Sequence, residues 1–427
     1  MLEQIVRGPL LIATDDGRVE FHRDGALAAD EHGVIQFAGE WAQLKRPAGA
    51  PPVRVSDGTM LPPLLDAHTH ISQHPIRGRF VEGVPVDAPG GRLLSGLKRN
   101  VFPAEARCND VDHARKVVRD FHTDTLAHGV VGGATYMTVS AAATEAALEI
   151  LPDTWSVGLV LMNQNTPDDL RTDEPNLEAE VKRMAERFGR RLIVTDRFAV
   201  AVTSPLRRRA VRLAEKFGLR TQTHLNEQIG EKEFVERRLY PDAANYTSVY
   251  RQDGLLDHDC ILAHCIQMTD EEWPMIVETN SVIAHCPTSN LLLGSGVMPL
   301  DRVIELGIAY AIGTDVGASP TVSLLAEMGR FLQVHAGRSA RATPNEALLR
   351  TTLAPAKILG LDQQMGRLRE GQPMSFIEVN GGKLAASAGV DEAIRALLPA
   401  DLDHPAAAVT RVTLAGKTIF RRSHGHA

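Results

Sequence analysis

The most constraining feature of this sequence is a regular alternation of short apolar segments with longer amphipathic ones through its central part. Candidate helices lie between most of the apolar segments, and several end on a glycine, as helix C-termini often do. Mostly apolar strands that alternate with helices indicate a parallel sheet covered by helices. The eight apolar segments are LPPLLDAH, VVGGATYM, WSVGLVLM, LIVTDRFAV, LRTQTH, CILAHC, SVIAHC and AYAIGTD.

Eight strand-and-helix units over roughly 250 to 300 residues match the size of a (β/α)8 barrel. The main alternative is a doubly wound open sheet, which usually opens a helix with G-x-G-x-x-G directly after a strand. The sequence contains no such segment at a strand end. We therefore predict an α/β fold with a TIM-type barrel over residues 62–361.

The two ends of the chain differ from this pattern and resemble each other. Both consist of short candidate strands separated by turn residues, with VEFHRDG and ALAADEHG taken as two separate strands. Neither end carries enough apolar residues to form a core alone. We predict one small β-sandwich domain built from residues 1–61 plus 362–427. The last residues, including His424 and His426, are predicted to be disordered.

Composition and charge argue against several classes of partner. The 427-residue chain has a formal net charge of -7 and 5% aromatic residues, which does not favour nucleic acid. No segment reaches the ~18 apolar residues of a membrane span. Four scattered cysteines without a C-x-x-C pair fit a reducing compartment, so we predict a cytoplasmic protein with no membrane partner. The basic run 207–209 is predicted to lie on a solvated helix face.

Polar residues stand where the predicted strands end. Barrel enzymes place their chemistry at the carboxyl ends of the strands, and imidazole and carboxylate groups are ligands of catalytic zinc. In the H-x-H of the first strand, both histidines point to the same face and can reach one ion. The pattern therefore predicts a metal site. Its candidate residues are His68 and His70 after the first strand, His224 after the fifth, His264 after the sixth, His285 after the seventh and Asp315 after the eighth.

Glu227 lies three residues past His224 and is therefore close to the predicted metal without having to ligate it. A carboxylate in that place can take a proton from water and pass it to a substrate nitrogen. The alternative is that Glu227 only stabilises the N-terminus of a helix.

These residues resemble the amidohydrolase superfamily and, within it, the guanine deaminases. The similarity covers most of residues 60–360, and the combination of HCPTSN–LGSG with GTDVG is specific to the deaminase branch. The motifs are DAHTHISQ at 66–73, FPAE at 102–105, DRF at 196–198, THLNE at 223–227, AHC at 263–265, AHCPTSNLLLGSG at 284–296 and GTDVG at 313–317.

The resemblance implies a role for each matching residue. It implies one Zn²⁺ per chain, with Fe²⁺ as the alternative, and a homodimer. The implied metal ligands are His68, His70, His224 and Asp315. Asp315 and His264 are implied to hold and deprotonate the attacking water, and Glu227 to shuttle the proton. The implied purine-binding residues are Gln73, Arg197 and Phe198.

Two departures from the family pattern lie near the expected pocket. Gly96 stands where the family usually has tryptophan, and we expect the lost ring to leave room for a bulkier heterocycle. Asp196 stands where the family usually has proline, and we expect it to add a carboxylate near the pocket. Residues 74–102, rich in glycine and proline, are expected to build that pocket or a lid over it.

The predicted function is hydrolytic deamination of a small heterocycle, with guanine converted to xanthine and ammonia. The first alternative is the same chemistry on another ring: 8-oxoguanine, a pterin such as isoxanthopterin, or an s-triazine. Gly96 motivates this alternative. The second alternative is an inactive barrel that serves as a binding or scaffold protein.

Overall fold

The computed structural model describes residues 2–14, 16–88, 91–256, 260–382 and 384–423. The predicted disorder of His424 and His426 concerns residues outside these ranges. The strands in the described residues are β1 (Leu2–Ala13), β2 (Val19–Asp30), β3 (Ile35–Glu40), β4 (Val53–Val55), β5 (Thr59–Leu61), β6 (Leu64–His70), β7 (Val130–Tyr136), β8 (Trp155–Leu161), β9 (Leu192–Asp196), β10 (Arg220–Leu225), β11 (Cys260–His264), β12 (Val282–His285), β13 (Tyr310–Ile312), β14 (Phe376–Val379), β15 (Val409–Leu414) and β16 (Lys417–Arg421).

The α-helices lie mostly between the strands of the central region. They are α1 (Gly91–Gly96), α2 (Phe102–Ala106), α3 (Val111–Ala127), α4 (Ala141–Ile150), α5 (Leu177–Phe188), α6 (Ser204–Phe217), α7 (Ile229–Phe234), α8 (Tyr246–Gln252), α9 (Trp273–Thr279), α10 (Pro287–Leu293), α11 (Leu300–Glu305), α12 (Leu324–His335), α13 (Pro344–Thr351), α14 (Leu353–Leu359) and α15 (Val390–Arg395). In the described parts of the chain, no helix combines the length and the apolar character needed to cross a membrane.

Strands β6 to β13 form one parallel sheet in chain order, and this sheet closes into a barrel. The closure uses the segment after β13. The amide of Asp315 donates to the carbonyl of His68 at 2.8 Å, and the amide of His70 donates to the carbonyl of Val316 at 2.9 Å. The predicted (β/α)8 fold is confirmed, and its closure brings the first and last strands side by side.

The barrel strands are buried on both faces, which explains their nearly continuous apolar sequences. Every residue of β6, β7, β8, β9 and β11 is buried. The helices outside begin with local capping; the side chain of Asp110 accepts hydrogen bonds from two amides at the start of α3. Gly218 ends α6 with φ of 64°, in the left-handed region where glycine is favoured.

The two ends of the chain form a separate sheet, as predicted. Its order is β16-β15-β14-β5-β1-β2-β3, with β4 paired to β1, so the C-terminal strands form one side of the sheet and join the N-terminal strands where β14 pairs with β5. The prediction of two strands within residues 19–30 is wrong, because β2 is continuous. Gly25 lies inside β2 without interrupting it: a Cβ there would come within 2.5 Å of the Leu10 Cβ, so the glycine serves close packing between strands.

Candidate metal centre and active site

Four predicted metal ligands meet at the carboxyl end of the barrel. His68 and His70 lie on β6, His224 lies on β10, and Asp315 follows β13. One ligand atom from each lies within 4.8 Å of the others. Asp315 Oδ1 is 3.3 Å from His68 Nε2 and 3.1 Å from His70 Nε2, and His224 Nε2 is 3.4 Å from His70 Nε2. The closed barrel thus joins three separate strand ends in one cluster.

The chemistry of this cluster fits a divalent metal ion. Burial lowers the pKa of His70 to about 3 and that of His224 well below its usual value, so both imidazoles are neutral. Burial would raise the pKa of Asp315, but the nearby imidazoles of His68 and His70 outweigh it and hold that pKa well below its usual value. Neutral imidazoles with an ionised carboxylate are the protonation states that metal ligands need. The buried Nε2 of His68 has no hydrogen-bond partner among the described residues.

Neighbouring groups orient the ligands. His224 Nδ1 donates to the carbonyl of Arg197 at 2.6 Å, which leaves His224 Nε2 free to face the cluster. Ser289 Oγ donates to Asp315 Oδ2 at 2.5 Å, which leaves Asp315 Oδ1 toward the histidines. Ser289 was not predicted as a site residue, although it lies in the HCPTSN motif.

The backbone around the site is strained. Asn226, His264, Cys265 and Asp315 all have positive φ, between 51° and 76°, in the left-handed region that residues other than glycine rarely adopt. These residues follow or end strands β10, β11 and β13. Such strain persists only where the surrounding structure enforces it, and it gathers at functional sites.

Glu227 and His264 lie next to each other beside the cluster. Glu227 Oε2 is 3.5 Å from His264 Nε2, and Ser295 Oγ donates to Glu227 Oε1 at 3.3 Å. Burial, together with the charge of Asp315, raises the pKa of Glu227 well above its usual value. This carboxyl group therefore keeps its proton to a higher pH than an ordinary glutamate does, as a proton donor to a substrate requires.

His264 is held in one orientation by Asn290. His264 Nδ1 is 2.9 Å from Asn290 Oδ1. Because an amide oxygen only accepts, Nδ1 carries the hydrogen and Nε2 keeps its lone pair. Burial lowers the pKa of His264, which favours this neutral form. The imidazole can therefore act as a base toward the space beside Glu227. Asn290, like Ser289, comes from α10 and was not predicted.

A cavity adjoins the cluster, and residues 74–102 contribute to its wall as expected. The three predicted purine-binding residues all line it, so the structure brings them together with the metal cluster. The lining residues are His70, Gln73, Phe80, Leu93, Leu97, Arg197, Phe198, His224, Glu227, Leu293 and Asp315.

Glu105 connects two of these lining residues. Gln73 Nε2 donates to Glu105 Oε1 at 3.0 Å, and Arg197 donates to Glu105 Oε2 at 2.5 Å. All three side chains are buried. Glu105 was not predicted as a site residue. The FPAE motif could have indicated it, but no role followed from the sequence for the carboxylate of that motif.

The structure corrects the expectation about Gly96. A Cβ at this position would lie 2.7 and 2.8 Å from two ring atoms of Phe80. The ring of Phe80 therefore fills the space beside Gly96 and forms part of the cavity wall. The absence of a side chain at position 96 does not enlarge the cavity, because another aromatic residue of the same segment uses the room.

Two further expectations are wrong for one shared reason. Asp196 is not among the described residues that line the cavity; its Oδ2 accepts from Arg207 Nε at 2.7 Å. Within the basic run 207–209, Arg208 is exposed as expected, but Arg207 is fully buried and also donates to Asp253 at 2.8 Å. A buried guanidinium needs carboxylate partners, and Asp196 is one of them.

His285 lies outside the cluster. It was a candidate for the metal site because it ends the seventh predicted strand. Its Nε2 is 3.2 Å from the Nε2 of His335 on α12, on the outer side of the barrel. Successive residues of a strand point to opposite faces, and β12 turns His285 away from the barrel interior.

The geometry agrees with comparisons to known proteins. A model of the amidohydrolase family matches residues 59–419. Guanine deaminase of Escherichia coli (strain K12) is 32% identical over 370 residues, or 84% of this chain and 82% of that protein. Guanine deaminase of Homo sapiens is 29% identical over 405 residues, or 89% and 87% of the two chains. The solved structure of the E. coli guanine deaminase is similar with a TM-score of 0.86 and 28% identity, covering 99% of this chain and 100% of that one.

Proposed function

This chain belongs to the amidohydrolase family, and we propose that it is a metal-dependent aminohydrolase that converts guanine and water to xanthine and ammonia. The observation that carries the proposal is the placement of Glu227 beside the metal cluster, 3.5 Å from His264 and in the wall of a cavity that Gln73 and Arg197 also line. Relatives that are named guanine deaminase align with most of the chain, and they support guanine as the substrate.

Under this proposal His68, His70, His224 and Asp315 hold a zinc ion, with Fe²⁺ as the alternative. Three imidazole nitrogens and one carboxylate oxygen suit either ion. A bound metal supplies Lewis acidity, which makes a water in the site easier to deprotonate.

The side chains of this chain then move the protons. His264 Nε2 holds the attacking water and takes its proton, with Asp315 as the second acceptor. The oxygen of this water forms a bond to the amine-bearing ring carbon. Glu227 delivers a proton to the adjacent ring nitrogen, so the tetrahedral intermediate stays close to neutral. His264 gives the proton that it took from the water to the exocyclic nitrogen, and Glu227 takes the proton of the new hydroxyl group. The carbon–nitrogen bond breaks as the hydroxyl becomes a carbonyl, and ammonia leaves.

The cavity residues orient the ring in this scheme. Arg197 donates hydrogen bonds to a ring carbonyl with the fixed geometry of a guanidinium, Gln73 hydrogen-bonds to the same edge, and Phe198 packs on the ring face. The missing side chain at Gly96 is not an argument for a bulkier heterocycle, because the ring of Phe80 occupies the space beside it.

Substitution of Glu227 by glutamine tests the proposal. The variant should retain its metal, since Glu227 is not a ligand, and should lose at least about 100-fold in the rate of ammonia release from guanine. Glu233→Gln is the matched control: Glu233 is exposed on α7 and pairs with Arg237, so this variant should match the wild type. Near-wild-type release by Glu227→Gln would refute the proton shuttle, and a metal-loaded wild type that forms no xanthine would refute the reaction.

A cytoplasmic location and a homodimer remain part of the proposal. All four cysteines are buried and none forms a disulfide, which fits a reducing compartment. Sedimentation equilibrium of the full chain measures the oligomeric state, and a monomer at micromolar concentration would contradict the dimer.

A further inference from the structure

The carboxylate of Glu105 links the two residues that present polar atoms to the ring-binding part of the cavity. It is 1% exposed and is not among the described residues that line the cavity. One oxygen accepts from Gln73 and the other from Arg197. Glu105 therefore cannot act on a substrate directly, but it controls how its two partners face one.

Glu105 determines which of the two amide atoms of Gln73, the oxygen or the nitrogen, faces away from it. An amide side chain has an accepting oxygen at one side and a donating nitrogen at the other, and it can turn over to exchange them. A carboxylate that forms an ion pair with a guanidinium accepts hydrogen bonds, and the Nε2 of Gln73 faces Glu105 Oε1 at 3.0 Å. The Gln73 Oε1 then points away from Glu105, where the amide of Gly317 approaches it at 3.4 Å.

The same carboxylate fixes the neighbouring donor. Arg197 has only donors, and it is 3% exposed, so its charge needs the buried partner that Glu105 provides. The Arg197 Cζ also lies 5.6 Å from the centre of the Phe102 ring, which helps to hold the guanidinium plane. Gln73 and Arg197 both line the cavity, and the Gln73 nitrogen is taken by Glu105. A substrate in the cavity therefore meets the acceptor oxygen of Gln73 next to donors of Arg197.

We propose that Glu105 is a positioning residue that sets substrate specificity, selecting rings with a lactam edge and rejecting rings with an amidine edge. A lactam has a ring N–H next to a carbonyl, which pairs with an acceptor next to a donor. An amidine has a ring nitrogen lone pair next to an amine. Its lone pair would face the acceptor oxygen of Gln73, and its amine would face the donors of Arg197. Buried polar groups left unpaired in this way give strong discrimination. This inference rests on the proposed deamination and names the substrate class within it.

Glu105→Gln is the informative substitution. Glutamine has the shape of glutamate and can still accept one hydrogen bond from Arg197. Its amide nitrogen faces Gln73 as a donor, which allows the Gln73 amide to turn over and to present Nε2 to the cavity. The lactam preference should weaken, while the metal cluster, which Glu105 does not touch, keeps its metal.

The experiment compares guanine with 2,6-diaminopurine, which carries the same reacting amine but has an amidine edge instead of the lactam. In the wild type, kcat/KM for guanine should exceed that for 2,6-diaminopurine by at least about 100-fold. In Glu105→Gln this ratio should fall at least about tenfold, mainly through a higher KM for guanine. Glu327→Gln, at another buried carboxylate, is the matched control and should leave the ratio unchanged. An unchanged ratio in Glu105→Gln, with both activities reduced equally, would overturn the inference.

A binding measurement on the wild type covers the case in which Glu105→Gln does not fold. Hypoxanthine has the lactam edge, adenine has the amidine edge, and neither carries the reacting amine. Hypoxanthine should bind at least about tenfold more tightly than adenine by calorimetry; equal affinities would overturn the inference. If guanine is not converted but hypoxanthine is still preferred, the proposed reaction fails while the specificity inference stands.

Discussion

At the residue scale, α10 orients two residues of the site that come from distant parts of the chain. Ser289 holds Asp315, and Asn290 holds His264. These two partners follow different strands, so neither contact is visible from local sequence spacing. The short helix that contains PTSN therefore decides which oxygen of Asp315 and which nitrogen of His264 face the cluster.

Asn290→Ala should reduce kcat for guanine about 10- to 100-fold while the protein keeps its metal, because His264 loses the acceptor that fixes its tautomer. The pH profile of kcat should also change, since the released imidazole can protonate differently. Steady-state kinetics from pH 5 to 9 with metal analysis measure both effects. Asn380→Ala, at an exposed residue after β14, should behave as the wild type. An Asn290→Ala profile that is only scaled down would refute the orienting role.

Glu327 on α12 makes stability depend on pH. Burial raises its pKa from 4.5 to about 8, against hydrogen bonds from Thr288 that lower it. The folded protein therefore keeps the proton between these values, whereas the unfolded chain has lost it, and stability falls as pH rises through this window. Between pH 6 and 7 the free energy of unfolding should decrease by about 1.4 kcal/mol relative to Glu327→Gln, and the slope should become smaller as the pH approaches 8. Urea unfolding at fixed metal concentration measures this; parallel curves for the two proteins would contradict it.

The site residues that could be predicted from the sequence are those whose position at the end of a strand itself indicates a function. His68, His70, His224 and Asp315 end strands, and strand ends meet in a barrel. Glu105, Ser289 and Asn290 could not be predicted as site residues, because their importance depends on partners distant in sequence. Arg207 was misjudged for the same reason, since Asp253 and Asp196 bury its charge.

At the element scale, Phe80, Leu93 and Leu97 of the segment 74–102 line the cavity. Phe80 fits there because Gly96, at the end of α1, has no side chain. Helices α3, α5, α6, α9 and α11 were among the candidate helices that the sequence predicts between its apolar segments. Helix α10 was not, because its sequence begins with proline, threonine, serine and asparagine, which favour turns as much as helix starts.

Gly96→Ala should reduce kcat/KM for guanine at least about tenfold, because the new Cβ would lie within 2.8 Å of the Phe80 ring and carbonyl and must displace them. In a helix, alanine is otherwise preferred to glycine, so a gain in stability with unchanged activity would show that Phe80 is not confined by this contact. Gly382→Ala is the control, since its nearest atom lies at 3.8 Å. The double variant Phe80→Leu, Gly96→Ala should regain stability relative to Gly96→Ala, as measured by thermal unfolding.

At the scale of the whole molecule, the proposed metal joins parts of the barrel that are far apart in the chain. His68 and His70 come from the first barrel strand and Asp315 from the segment after the last one, so a bound ion would reinforce the closure. His224 anchors the opposite part of the ring through β10. The separate sheet of the two chain ends contributes no residue to the cluster among the described residues.

Metal removal should therefore lower the stability of the whole barrel and not only its activity. An ion that binds the folded state alone adds about 4 kcal/mol when its free concentration is 1,000 times its Kd. Thermal unfolding with zinc and with a chelator should differ clearly for the wild type. In a His68→Ala, His70→Ala variant the difference should vanish, because two of the proposed ligands are gone. In His285→Gln it should persist, because His285 faces His335 on the outside of the barrel. Loss of the zinc effect in His285→Gln alone would place the metal elsewhere and refute the proposed ligand set.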